Sequence, residues 1–366
     1  MENTVQSVDR RIRVKPRVVP EPPATVTVVV PCYNYANFLP QAVHSCLAQE
    51  EVEVDVIIVD DASTDSSLSV AKDLAATNPN VSVLAHDRNK GMVATFNDGA
   101  EIATGEFLVR LDADDLLTPG SLARATQLAR AYPSVGLVYG HPIHFSTESL
   151  PESRSQASAW TIWPGHDWLR GRCRSAQNVI TSPEVLMRRS VVERIGYQAP
   201  LRHTPDMELW FRISAFADIA YIHGADQAWH RDHPNSMSAK EVDGCLDLRE
   251  RYEVFETLFG GPAGELPGAD ELFREARAAL VNEALYTAGL ELDRGLPDPA
   301  LFAAYRAFAK DLDPEIEGSA VWETLSRRIN SPAPAGGARV LPFLRRIRGH
   351  IRTTMNWRKW HRNGVF

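Results

Sequence analysis

The chain has 366 residues, 44% of them hydrophobic and 23% charged, which is enough for one large α/β domain with a smaller appendage. Its net charge of -8 argues against nucleic acid as a partner, because phosphate recognition needs a basic face. A nucleotide diphosphate stays open, since a bound cation can neutralise it.

The four cysteines, Cys32, Cys46, Cys173 and Cys245, form no C-x-x-C pair and no zinc-spaced cluster. They predict reduced, buried thiols. No apolar run reaches membrane-spanning length and the N-terminus lacks an apolar signal core, which predicts a cytoplasmic protein.

Residues 1–24 carry five basic residues and then four prolines, and they predict a flexible tail. Val26 to Val30 is a β-branched run stopped by Pro31, read as a buried strand. A helical pattern covers Leu39 to Gln49. Val54 to Val59 predicts a second strand, ending at Asp60 and Asp61, and Ser63 and Asp65 offer caps for a helix to Ala76. Val81 to Ala85 is a third strand. Met92 to Ala103 is a helix with Gly105 as its C′ residue. Phe107 to Leu111 is a fourth strand, followed by Asp112-Ala113-Asp114-Asp115, and Pro119 opens the next helix. Val135 to Tyr139 is a fifth strand. The alternation predicts a mainly parallel sheet with helices on both faces.

Beyond Gly140 the pattern is less regular, and Trp160, Trp163 and Trp168 fall in a polar, loop-rich stretch. Val185 to Met187 and Ile219 to Ile222 are strand candidates. Ser190 to Ile195 and Met207 to Phe216 are helix candidates. Residues 241–330 read as a helical C-terminal region, and 331–366 as a Pro/Gly/Ala linker with a basic amphipathic tail.

In an open parallel sheet, ligands bind at the carboxyl ends of the strands. Pro31, Tyr33, Asp61, Asp112, Asp114 and Asp115 all follow predicted strands. Clustered carboxylates repel one another, and a divalent cation with hard-oxygen preference relieves that repulsion. A solvated turn rich in Asp is the other reading of the D-x-D triplet. No G-x-G-x-x-G follows the first strand and no P-loop is present, which excludes the common dinucleotide and phosphate-binding loops.

Four ordered segments resemble the family 2 inverting glycosyltransferases of the GT-A fold. Val28 to Asn34 is similar to their opening strand. Val59-Asp60-Asp61-Ala62-Ser63-Thr64-Asp65 is similar to "VDDGSTD". Asn89 to Glu106 resembles the stretch before the D-x-D, and Leu111 to Asp115 resembles the D-x-D itself. The resemblance covers about residues 25–140, with further matches to about 238, and implies a GT-A domain over 25–240. It implies that Pro31 and Tyr33 line the base pocket, Asp61 accepts from a base N–H, and Asp112 lies near the ribose or sugar. Asp114, then Asp115, would hold Mn²⁺ or Mg²⁺.

Thr204 to Arg212 resembles the family's "x-E-D-x-x-L-W-x-R" segment and implies Asp206 as the catalytic base, with Glu208 as a fallback. Pro205 departs from the usual Glu there. A helix-capping acid also explains Asp206. Arg231 to Ser238 resembles "R-x-H-x-x-S" and implies His233 as a metal or diphosphate contact, with His230 as the neighbouring alternative. The implied partners are a nucleoside diphosphate sugar, with UDP favoured as carrier, and a hydroxyl acceptor such as a sugar or lipid-linked sugar. The implied role is cell-surface polysaccharide or glycoconjugate synthesis. A sugar nucleotidyltransferase and an inactive sugar-nucleotide-binding protein are the rival readings.

The segment 339–366 contains Arg345, Arg346, Arg348, Arg352, Arg358, Lys359 and Arg362 and no acid, with Leu344, Ile347 and Ile351 at helical spacing before Trp357 and Trp360. Two readings stand level: peripheral contact with an anionic membrane, or a helix packed on the protein with a solvated basic face.

Overall fold

The computed structural model describes residues 7–147, 149–233, 244–293, 298–330 and 340–365. The chain forms two units, residues 1–169 with 178–239, and residues 170–177 with 240–366. The short segment 170–177 thus joins the C-terminal unit, a departure from the domain division expected above. The linker over 331–339 and the segment Pro234–Ser238 lie outside the described residues.

The first unit is built on one sheet. Its strands are β1 (Ile12–Val14), β2 (Ala24–Cys32), β3 (Val52–Asp60), β4 (Val81–Ala85), β5 (Phe107–Arg110), β6 (Leu116–Leu117), β7 (Val135–Phe145), β8 (Ala159–Trp163), β9 (Leu186–Arg188) and β10 (Asp218–Arg231). Their order is β1-β8-β10-β7-β9-β5-β2-β3-β4, with β6 paired to β10. β5, β2, β3 and β4 run parallel, as do β7 and β10. The short β9 lies antiparallel between β5 and β7 and joins the two parallel groups.

Burial explains the continuous apolar runs. Val28, Val29 and Val30 are each 0% exposed, so both faces of β2 are covered. Val28 and Val30 pack with α1 (Leu39–Leu47), α2 (Ser67–Thr77) and α4 (Ser121–Ala131). Val29 points the other way, to α3 (Met92–Glu101). A Cβ on Gly99 of that helix would lie 2.6 Å from Val29 Cγ1 and 2.8 Å from Val59 Cγ2, so only glycine lets the helix approach this closely. The fold class is the expected mostly parallel α/β sheet, helices on both faces, with a helical C-terminal region.

Several local expectations need correction. Ile12–Val14 is not part of a free tail, because it pairs with Trp160–Ile162 of β8. Val8 N–H donates to Asp218 Oδ2 at 2.9 Å and Ser7 Oγ donates to Asp218 Oδ1 at 2.5 Å. Gly105 is not a helix terminator. Helix α3 ends at Glu101, and Gly105 N–H instead donates to Thr27 Oγ1 at 2.9 Å, with a Cβ there only 2.6 Å from Thr27 N. The tryptophans near 160 lie not in a loop but in β8 and in α5 (Gly165–Ser175), and Trp160 is 1% exposed.

β7 and β10 are longer than their apolar cores suggest, because polar residues in their second halves are internally paired. Asp226, 2% exposed, accepts from Arg154 N–H at 2.7 Å and contacts His141 Nδ1 at 3.0 Å. These bonds hold its carboxyl well below the usual range although burial pushes the other way.

The chain then runs through α6 (Arg189–Ile195) and α7 (Pro205–Phe216). The second unit is helical: α8 (Gly244–Gly260), α9 (Ala269–Asp293), α10 (Pro299–Leu312), α11 (Ala320–Asn330) and α12 (Val340–Asn363). Arg251 ties it together, donating to Glu283 Oε1 at 2.9 Å, Asp247 Oδ2 at 2.8 Å and Ala176 O at 2.8 Å. The bond to Ala176 is one reason that 170–177 belongs with this unit. Asp298 caps α10, accepting from Ala300 N–H at 2.8 Å. Among the described residues, no helix is long and apolar enough to cross a membrane.

Candidate active site

The carboxyl end of β5, the first turn of α7 and the end of β10 bring Asp112, Asp114, Asp115, Asp206 and His233 together, while Asp61 at the end of β3 is engaged by His86, Lys90 and Gly91. At the end of β2, Asn34 adopts a left-handed φ of 61°, a conformation that asparagine tolerates. Its Oδ1 accepts from Thr64 N–H at 2.7 Å and Asp65 N–H at 3.2 Å. The β2 and β3 end loops are thereby locked together. Pro31 pairs in register with Val59, and Tyr33, just beyond, is 43% exposed.

Ala62 stands where the resembled segment has glycine, and its φ is 57°. An alanine in this region costs roughly 1–2 kcal/mol. Three side-chain or backbone bonds flank the residue. Asp61 Oδ1 accepts from Lys90 N–H at 2.7 Å and contacts His86 Nδ1 at 2.8 Å, and Asp61 Oδ2 accepts from Gly91 N–H at 2.9 Å. Burial pushes the pKa of this carboxyl up, yet those bonds win and hold it below its ordinary value. Asp61 is therefore an ionised anchor for the turn entering α3.

The D-x-D cluster follows β5. Arg110, 4% exposed, donates to Asp112 Oδ1 at 2.7 Å and lies near enough to Asp206 to stabilise its charge. Asp114 Oδ2 lies 2.8 Å from His233 Nε2. Burial, with the charges of Asp115 and Asp112, pushes the Asp114 carboxyl up to about 6. Asp115, 1% exposed, is also raised by burial, but its oxygens are engaged: Oδ1 accepts from Arg231 N–H at 2.8 Å and Oδ2 contacts His230 Nδ1 at 3.1 Å. Burial alone would lower the His230 pKa, but its bond to Asp115 and the charge there lift it to about 9.

His233 is seated by aromatic rings. It stacks on Phe38 at a centroid distance of 5.6 Å and meets the edge of Tyr35 at 6.2 Å. Arg231 lies over the Phe38 and Phe145 rings and donates to Asp114 O at 2.9 Å and Gln41 Oε1 at 2.9 Å. This arginine fastens the end of β10 to the D-x-D turn.

Asp206 sits in the first turn of α7, directly after Pro205 at the first helical position. Its Oδ2 accepts from Ser182 Oγ at 3.2 Å. Burial raises its pKa, while Arg110 opposes the rise. A partly desolvated carboxylate with a raised pKa suits proton abstraction near neutral pH. Glu208 is placed differently: it is 1% exposed and held by Arg212 through Nε at 2.8 Å and Nη2 at 2.9 Å. Arg212 also donates to the carbonyls of Ile195 and Gly196, so this pair fixes the loop after α6.

Sequence reasoning missed Arg110, Ser182, Phe38 and Gln41. Arg110 carried a signal, since a charged residue inside an apolar strand two positions before an acid cluster needs a partner. The others carried none, because a single Ser, Gln or Phe is common everywhere.

Residues 27–196 match the family model described as glycosyl transferase family 2. The succinoglycan biosynthesis protein ExoO of Rhizobium meliloti is 40% identical over 106 residues, covering 29% of this chain and 30% of that protein. The chain thus spans about a third of the length of the first curated relatives it matches. Among solved structures, S. aureus TarS 1-349 in complex with UDP-GlcNAc aligns with a TM-score of 0.56 and 17% identity, over 86% of this chain and 95% of that one. The mannosyltransferase PcManGT from Pyrobaculum calidifontis, in complex with GDP-Man and Mn²⁺, aligns with a TM-score of 0.54 and 20% identity, over 86% and 89%. At these identities the structural likeness establishes the fold, which is GT-A. Residues 27–196 of this chain thus match glycosyl transferase family 2, on a GT-A fold that the structural likeness shows.

Proposed function

We propose that this protein is a metal-dependent, inverting glycosyltransferase. It moves a sugar from a nucleoside diphosphate sugar, with UDP the favoured carrier, to a hydroxyl on a sugar or lipid-linked sugar. The observation that carries the reading is the convergence of Asp112, Asp114, His233 and Asp206 around Arg110 and the D-x-D turn. The relatives' names support a role in cell-surface polysaccharide synthesis.

The donor set fits a divalent cation. Asp114 offers a hard carboxylate oxygen, its pKa is raised by burial and by the neighbouring carboxylates, and His233 adds a nitrogen 2.8 Å away. Asp115 adjoins Asp114, but its oxygens are held by Arg231 N–H and His230 Nδ1, which leaves Asp114 as the leading carboxylate ligand. When bound there, Mn²⁺ or Mg²⁺ supplies charge neutralisation for the diphosphate leaving group.

The chain's own residues do the rest. Pro31 and Tyr33 form the wall for the base. Asp61 uses remaining lone-pair capacity at Oδ2 to accept from a base N–H. Asp112, held by Arg110, meets the ribose or the sugar. Asp206 takes the acceptor hydroxyl proton as that oxygen attacks the anomeric carbon from the face opposite the diphosphate, so one displacement inverts the configuration. The basic tail is the contact for an anionic membrane carrying a lipid-linked acceptor. Ile351, Met355 and Trp357 of α12 support that part of the reading, being 51%, 53% and 60% exposed.

A donor screen tests the proposal. Purified protein with Mn²⁺ or Mg²⁺ is offered UDP-, GDP- and dTDP-sugars, and released nucleoside diphosphate and pyrophosphate are measured. Nucleoside diphosphate release with sugar transfer is the expected result. Pyrophosphate release would point to a nucleotidyltransferase, and no turnover or binding with any donor would sink the proposal.

A further inference from the structure

A second group of metal-type donors lies at the ends of β7 and β10. His230 pairs in register with His144 across the parallel ladder, and Asp232 follows His230 by two residues, so the three share one face. The imidazole rings are 4.8 Å apart. His144 Nδ1 lies 3.3 Å from Asp232 Oδ1, and His230 Nε2 lies 3.9 Å from the same oxygen. One ligand atom from each of the three falls within 4.8 Å of the other two.

An independent feature points the same way. His230 Nδ1 is held at 3.1 Å by the buried carboxylate of Asp115. A histidine that ligates a metal through one nitrogen almost always gives the other to a carboxylate, carbonyl or water, which fixes the ring. Here that arrangement already exists, with His230 Nε2 as the nitrogen facing Asp232.

We propose that His144, His230 and Asp232 form a binding site for a borderline divalent transition metal of the Zn²⁺ type, separate from the donor-associated cation at Asp114. Two imidazoles and one carboxylate suit zinc rather than Mg²⁺ or Ca²⁺, which prefer all-oxygen sites. Tetrahedral binding at metal–ligand distances of about 2.0–2.2 Å needs donors roughly 3.3–3.5 Å apart. Closing the present spacing takes about an ångström of movement, and the side chains of His144 and Asp232 are 43% and 54% exposed and free to make it. On binding, the metal takes the Nε2 lone pair of His230, any proton there leaves to solvent, and water fills the fourth position. The bound ion clips β7 to β10 at the point where Arg231 and His233 leave the sheet.

The test uses the full chain stripped of metal by a chelator and titrated with Zn²⁺ alone, by calorimetry and by thermal melting. Wild type and Asp114→Ala are expected to bind one Zn²⁺ at this site and to gain Tm with it. His144→Ala and Asp232→Ala are expected to keep the metal-free Tm, to bind Zn²⁺ at least about tenfold more weakly, and to lose the Tm gain. Unchanged Zn²⁺ affinity in both variants overturns the proposal. So does loss of Zn²⁺ binding in Asp114→Ala, which would place the ion at the D-x-D turn instead. None of these readouts depends on sugar transfer, so this proposal can fail while the transferase reading stands, and the reverse.

Discussion

Asp114 Oδ2 and His233 Nε2 lie 2.8 Å apart although the two residues are 119 positions apart in the sequence. The pair joins the turn after β5 to the end of β10, and Arg231 pins the same junction through Asp114 O. A carboxylate crowded by two others, facing an imidazole, is a place where a cation lowers the energy of every neighbour.

Asp114→Ala should therefore remove metal-supported binding of the nucleoside diphosphate while the protein stays folded. The expected loss is at least about tenfold in the metal-dependent part of the affinity, since a direct ligand matters no less than a supporting one. Calorimetry with UDP and Mn²⁺, beside a thermal melt, reads both effects. Equal affinity in the variant and the wild type would leave the acids as a solvated turn.

Asp206→Asn should keep donor binding and lose most transfer. The amide preserves the shape and can still meet Ser182, but it cannot accept the acceptor proton, a loss worth about 10²–10⁴-fold in rate. The anomeric proton of the product, observed by NMR, should show inversion relative to the donor. Near-normal turnover in the variant would remove Asp206 from the role of base. Glu208 would be a poor substitute, because Arg212 holds both its oxygens.

Ala62→Gly should stabilise the protein. Relief of the left-handed strain at φ 57° contributes roughly 1–2 kcal/mol, and the extra freedom of glycine in the unfolded chain costs about 0.5–1 kcal/mol. A net gain on the order of 0.5–1 kcal/mol should appear as a higher Tm. A lower Tm in the variant would show that Ala62 makes packing contacts worth more than its strain.

The basic tail should bind vesicles containing anionic lipid and ignore neutral ones. Reversing Arg345, Arg346 and Arg348 to Glu should reduce that binding by at least about tenfold, given about 1 kcal/mol for each cation near such a surface. Trp357→Ala should weaken it further, since that ring is 60% exposed. Vesicle co-sedimentation at two salt concentrations measures both effects. Binding that is equal on neutral and anionic vesicles would contradict the electrostatic reading.

The sequence alone was enough for the alternation of elements and for the acids at the strand ends. Runs such as Val26–Val30 and Val54–Val59 can be satisfied only by burial on both faces, so they read as parallel strands without further information. Asp61, Asp112, Asp114 and Asp115 directly follow such runs, and strand ends are where an open sheet collects ligands. Polar strands were not legible in that way. The second halves of β7 and β10 look like loops until Arg154 and His141 are seen to satisfy Asp226. Only the tertiary structure decided which distant residues meet: Asp114 with His233, Arg110 with Asp112 beside Asp206, Asp115 with His230, and Asp218 with the N-terminal segment. Local pattern cannot carry that information, because each contact depends on strand order and on the packing of α7 and β10, and those are settled by how the whole first unit buries its sheet.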